Sequence, residues 1–145
     1  MQIPLDGGFF LDDDRDRVDR EAVHAFLTKS YWAAGRDRGM MNELIASATR
    51  VVGLYDGDGR QMGFARAVSD QHVISYLADV YVLEEARGRG FGLELARFMI
   101  EGGELASTSW LLRTHNMHDL YAKLGFVESD ARTMQRRPGG VAENR

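Results

Sequence analysis

Behind a run of mixed charge over residues 12–21, Val23, Phe26 and Leu27 recur three and four residues apart, the spacing that gathers apolar groups on one side of an α-helix. It predicts a helix over residues 19–28 beginning at Asp19, with the charged run before it as a solvated loop. After a basic loop bracketed by Gly35 and Gly39, Met40, Met41, Leu44, Ile45 and Ala48 mark a second helical face. From Thr49 the period changes. Apolar runs over residues 51–55 and 61–68 flank Asp56-Gly57-Asp58-Gly59, a hairpin signal, and β-branched and aromatic residues across 73–82 predict a third strand. Helical order returns over 91–105, where Leu95, Phe98 and Met99 oppose Glu94, Arg97, Glu101 and Glu104. A strand over 110–114 and a helix over 118–124 follow, the latter stopped by Gly125 as a left-handed cap. Extended pieces over 126–127 and 131–136 are expected to finish the sheet, and residues 137–145 read as a frayed tail.

Helix, helix, three strands, helix, strand, helix and one or two strands is the order of an α+β fold, a mixed sheet with helices on its faces. The 145 residues suit one domain and one active site. No internal repeat is apparent.

Composition narrows the function classes. Hydrophobic residues make up 44% and charged residues 28%, the balance of a globular chain that folds alone or as an oligomer, a homodimer included. Eighteen basic against 22 acidic side chains leave a formal charge of −4, which argues against nucleic acid as a partner. The absence of cysteine removes disulfides and thiolate chemistry and suits a reducing compartment. The first eleven residues lack the basic start and long apolar run of an export signal, and no stretch approaches the roughly 20 apolar residues of a membrane helix. Cytoplasm, with no membrane partner, is the expected location. No spacing of His, Asp and Glu suggests a metal site.

The unusual number is 16 glycines against two prolines. Gly88, Gly90 and Gly92 alternate where the strand ending in Val82 runs into the helix from Phe91. Glycines there let backbone N–H groups converge without Cβ obstruction, and the helix N-terminus adds positive potential, so the segment reads as an anion cradle, most simply for phosphate. A P-loop requires Lys-Ser or Lys-Thr after its last glycine, where Leu93 and Glu94 stand. A dinucleotide fingerprint requires glycine at 93 and an acidic residue at the end of the next strand, where Arg113 and Thr114 stand. A turn with no ligand is the remaining alternative.

Arg87-x-x-Gly90-x-Gly92, with Val82 upstream and a helix downstream, resembles the acyl-CoA pyrophosphate loop of the GNAT superfamily of N-acetyltransferases. Leu120-Tyr121-Ala122-Lys123-Leu124-Gly125-Phe126 is similar to that superfamily's second signature. The resemblance extends over residues 12–136. It implies a mostly antiparallel sheet of about six or seven strands with helices on both faces, and transfer of an acetyl group from acetyl-CoA to a primary amine of a small molecule or peptide, by direct attack in a ternary complex.

Residue by residue, the resemblance implies a cofactor-binding set of Val80, Tyr81 and Val82 on the strand and Arg87, Gly88, Arg89, Gly90, Phe91 and Gly92 in the loop. Arg87 would shape the loop and Arg89 be free to reach phosphate. Asn116 would take up a pantetheine contact that many members make with an asparagine where Thr114 stands. Glu84 also departs from a frequent proline, and Phe91 from a frequent isoleucine or valine. The cleft would open where residues 77–82 splay from 110–114, with the Val82 N–H polarising the thioester. Tyr121 matches the family's general acid, its other role being helix packing. Asp79, just ahead of the splay, would orient the acceptor amine or take its proton, or else pair with an arginine. His72, His115 and His118 are weaker bases, and His24 a packing residue. Tyr31 and Trp32, between the first two helices, would bind the acceptor or belong to the core. A non-catalytic acyl-CoA sensor and an adenine-nucleotide binder are the competing functions.

Overall fold

The computed structural model describes residues 1–129 and 131–140. The chain divides into two compact units, Met1–His115 and Asn116–Arg145.

The first unit is built on six strands, β1 (Gln2–Pro4), β2 (Phe10–Asp12), β3 (Arg50–Tyr55), β4 (Gln61–Ser69), β5 (Ile74–Val82) and β6 (Ser109–Leu111), paired in chain order. All pairs are antiparallel except β5 with β6, which α3 (Phe91–Glu101) joins as a crossover. Two helices, α1 (Arg20–Leu27) and α2 (Arg38–Ser47), lie between β2 and β3 in sequence. The Asp19 side chain accepts from Ala22 N at the start of α1, and Asp37 from Met40 N at the start of α2; each such cap contributes about 1 kcal/mol.

Alternation along the strands assigns the helices to faces. Val23, Leu27, Met41 and Ile45 from α1 and α2 form one core with Val51, Phe64 and Tyr81 of the sheet. Arg50, the pleat's next position, projects to the other face. There it donates to the Phe98 and Met99 carbonyls, with its guanidinium 4.8 Å from the Phe98 ring, and so fastens the end of α3.

Three expectations change. Residues 12–21 are not simply a solvated loop: Asp12 ends β2 and is buried, with its carboxylate taking hydrogen bonds from Arg17 Nε, Gln2 Nε2 and Asp14 N. Paired burial of this kind leaves no charge signal to distinguish it from an exposed acid. The third helix, expected over 91–105, ends at Glu101 with Gly102 as its C-cap, a position where a Cβ would overlap the Phe98 ring, and residues 104–107 form only a 3-10 turn. The strand expected over 110–114 is Ser109–Leu111, for β5 no longer pairs with it beyond Tyr76.

In the second unit α4 (His118–Ala122) stops as expected at Gly125, whose φ is +89°. Neither 126–127 nor 131–136 forms a strand, although both short runs contain apolar residues. Of the expected tail, Pro138–Gly140 makes a 3-10 turn, and residues 141–145 lie outside the described residues.

Candidate active site

β5 carries two irregularities that set the site. Parallel pairing with β6 runs from Ile74 opposite Ser109 to Tyr76 opposite Leu111 and stops, so the strands part beyond that point. Against β4, Phe64 faces Tyr81 while Arg66 faces Ala78; Asp79 and Val80 therefore both stand opposite Ala65. That is a β-bulge, with Asp79 at a left-handed φ of +55°. Tyr81 turns its ring into the core, stacked 3.9 Å from Phe26. Only its backbone remains for a ligand beside the strand. Val80 and Val82 are half-buried.

Past β5 the chain makes a 3-10 turn over Glu84–Ala86 and enters the glycine loop. Gly88 and Gly90 have φ of +80° and +78°, with open space where a side chain would stand. Gly90 is the N-cap of α3 and offers no side-chain acceptor, so the first-turn N–H groups keep their capacity for an external anion. Gly92 lies inside the first turn of α3. The Arg87 Nε donates to the Val82 carbonyl at 2.9 Å, folding that side chain back along the loop. An open cavity of about 570 Å³ lined by Phe26, Leu83, Glu84, Glu85 and Arg87 follows this stretch. The exposed Arg89, expected from sequence to reach phosphate, has its guanidinium 5.1 Å over the ring of Phe9, which belongs to the β1–β2 connection that the sequence did not reveal.

On the α1–α2 side, Tyr31 and Trp32 are not core residues, being 71% and 42% exposed. Tyr31 packs edge-on against Trp32 at 5.1 Å and His115 at 4.9 Å. The Trp32 Nε1 donates to Asp79 Oδ1 at 2.8 Å. Asp79 Oδ2 accepts from Arg66 Nε at 2.6 Å and Arg36 Nη1 at 2.8 Å. Burial pushes the Asp79 carboxyl up, but the charge and hydrogen bond of Arg66, then Arg36 and Trp32, outweigh it and hold the group below its ordinary value. The sequence points to Asp79, with pairing to an arginine as one of its two roles, and to Trp32 and the basic loop 36–38 near the acceptor, but not to their contact with one another, and it does not single out Arg66. A lone acid inside an apolar strand is the one signal that asks for such partners. His72 lies exposed at the β4–β5 turn and His24 half-buried on α1.

In the second unit Tyr121 lies on α4, buried, its ring edge-on to Phe126 at 5.7 Å. Burial pushes its phenol up to about 12. Asn116 and His118 are exposed. Among the described residues no cluster of His, Asp and Glu could hold a metal ion, and no helix is long and apolar enough to cross a membrane.

Comparison with known proteins agrees with this geometry. Residues 47–128 match the acetyltransferase (GNAT) domain. A solved protein of Xanthomonas campestris pv. campestris, assigned to the GNAT family as an acetyltransferase, superposes with a TM-score of 0.83 at 30% identity, over 92% of this chain and 95% of its own. A Deinococcus radiodurans R1 protein assigned as an acetyltransferase gives 0.68 at 20% identity, over 94% of each chain. Glucosamine-6-phosphate N-acetyltransferase from Arabidopsis thaliana shares the fold at 0.60 and 11% identity, over 88% of this chain and 97% of that one. No curated protein matches the sequence. The domain match covers more than half the chain and the Xanthomonas protein nearly all of it, and on that basis the chain belongs to the GNAT family of acetyltransferases.

Proposed function

We propose that this acyltransferase moves an acetyl group from acetyl-CoA to a primary amine of a small molecule or peptide, by direct attack with both substrates bound. The observation that carries the reading is the loop after β5, where two left-handed glycines, Gly88 and Gly90, open an α-helix that no side chain caps. Such a loop suits a pyrophosphate held by backbone N–H groups, and the residues present leave it room.

In this reading the chain's residues divide the work. Gly88, Gly90, Phe91 and Gly92 receive the pyrophosphate through backbone, with Arg87 bracing the loop and Arg89 leaving Phe9 to meet phosphate. Val80, Tyr81 and Val82 line the pantetheine arm with main-chain groups, as an added strand pairs with an edge, and Asn116 adds a polar contact. The Val82 N–H polarises the thioester carbonyl, where charge develops as the amine attacks. Tyr121 gives its phenolic proton to the departing sulfur. The amine enters as the free base beside Tyr31 and Trp32. No metal takes part in these roles. The setting is cytoplasmic.

One observation favours the non-catalytic alternative, an acyl-CoA sensor: the carboxylate nearest the splay, Asp79, already accepts from three side chains. Thiol release from acetyl-CoA, followed with polyamines, amino acids, aminoglycosides and peptide N-termini, decides between them. Turnover with an amine that is lost in Tyr121→Phe is the expected result. Thermal stabilisation by CoA with no turnover on any amine would make the protein a sensor, and stabilisation by ATP or NAD but not by CoA would overturn the reading.

A further inference from the structure

We infer that Asp79 is a positioning residue whose carboxylate latches residues 28–37 onto the bulge of β5, fixing Trp32 and Tyr31 beside the splay where the acceptor enters. The inference rests on the acetyl-transfer reading for its kinetic consequence alone.

The bulge is what makes the latch. A regular strand would send residues 78 and 79 to opposite faces; the extra residue and the left-handed φ at Asp79 turn its carboxylate to the side of Arg66, which lies opposite Ala78. Aspartate is among the few residues with a side chain that adopt this φ readily. The carboxylate is then buried at 6% exposure and stable only if its oxygens are satisfied. Arg66, from β4, is the fixed partner within the sheet. The other two donors come from one loop: Trp32 Nε1 on Oδ1 and Arg36 Nη1 on Oδ2. They flank Ala33, itself buried in the α1–α2 core. The loop is thus pinned at three places within five residues.

The consequence falls on Tyr31. Its ring projects into solvent, held edge-on between Trp32 and His115, and His115 follows β6 across the parting strands. The Trp32 ring, anchored to β5 through Asp79, the Tyr31 ring against it and the His115 imidazole after β6 make a platform beside the splay. Three of the roughly four lone-pair positions of the Asp79 carboxylate are spent on this latch, two of them against guanidinium groups, which leaves it a poor acceptor for an amine proton.

Trp32→Phe and Arg36→Gln each open the latch while leaving Asp79 and Arg66 paired; Arg36→Lys restores the charge. Hydrogen–deuterium exchange over residues 30–36 is expected to quicken about tenfold in the first two and to return to within about threefold in Arg36→Lys, with CoA affinity changed by less than about twofold. Unchanged exchange in both Trp32→Phe and Arg36→Gln overturns the latch, whether or not the protein transfers acetyl groups. With an amine that turns over, Trp32→Phe is expected to raise its KM about tenfold and leave kcat within about threefold, and Asp79→Asn to act in the same direction. If instead Asp79→Asn lowers kcat about a hundredfold and removes the acidic limb of the pH profile while Trp32→Phe keeps the native KM, Asp79 is the base and the positioning role is wrong. Absence of turnover with every amine would defeat the acetyl-transfer reading and leave the exchange result to decide the latch.

Discussion

Phe9 and Phe91 pack with ring centroids 4.8 Å apart, so the connection between β1 and β2 bears on the first residue of α3. The same Phe9 ring carries the Arg89 guanidinium. One aromatic side chain therefore steadies both the helix start and a cation of the glycine loop, and order supplied beforehand need not be supplied at binding. Phe9→Ala is expected to weaken CoA binding about three- to tenfold and to cost about 1–3 kcal/mol of stability. Calorimetry with CoA and urea unfolding measure the two. Native CoA affinity alongside lowered stability would confine Phe9 to packing.

The left-handed glycines permit a controlled comparison. Gly88, Gly90 and Gly59 all have φ near +80° and open space around the missing Cβ, so alanine at any of them costs strain of about 1–2 kcal/mol without a clash. Gly59 belongs to the β3–β4 turn, where its N–H bonds to the Asp56 carbonyl. Gly59→Ala should lower stability and leave CoA affinity alone, while Gly88→Ala and Gly90→Ala lower both, the affinity by about tenfold or more. Equal affinities across the three variants would remove the loop from the binding site.

These contrasts show what the sequence carries. The loop was legible because a left-handed φ selects glycine, as at Gly88 and Gly90, and with Gly92 in the first turn of the helix they make a chemical signal as well as a conformational one at a strand-to-helix junction. The helices α1, α2 and α3 and the strands β3 to β5 were legible because their apolar periods run over many residues. β1 and β2, three residues each, have too little length for a period, and the runs at 126–127 and 131–136 carry apolar residues yet form no strand. The bulge at Asp79 left no mark, since residues 74–82 read as one unbroken strand. Its partners Arg66, Arg36 and Trp32 stand 13, 43 and 47 positions away, a distance only the fold closes.

Several carboxylates tie stability to acid. Asp12 and Asp79 are each pushed up by burial and pulled further down by their partners: Asp14 N, then Arg17 and Gln2, for the first, and Arg66, then Arg36 and Trp32, for the second. Asp70, on the surface, is held at about 2 by the N–H groups of Ile74, Val73 and His72. A folded-state pKa below the unfolded value of about 3.9 gives stability that is complete above that value and lost as pH falls through the folded one. Urea midpoints should therefore stay level in this respect from about pH 7 to 5 and decline steadily below about pH 4. Asp79→Asn, already less stable at neutral pH because two guanidinium groups lose their counter-charge, should show a shallower decline. A midpoint that does not fall between pH 5 and 3 would mean these carboxylates keep their ordinary affinity for protons.

Tyr121 offers the sharpest test of chemistry. With its phenol pushed to about 12 by burial, the group keeps its proton throughout the range in which acetyl transfer is assayed, as a general acid must. Tyr121→Phe retains the ring and its edge contact with Phe126 and removes only the hydroxyl. Where an acceptor is found, kcat is expected to fall about a hundredfold, within the usual worth of a positioned acid, with KM for acetyl-CoA changed by less than about threefold. The native enzyme should show no alkaline limb from this phenol below about pH 10, because its titration lies well above. Stopped-flow or plate-reader thiol release for both proteins over pH 6–10 measures the difference. A Phe variant with native kcat across that range would leave Tyr121 a packing residue and transfer the proton donation to solvent.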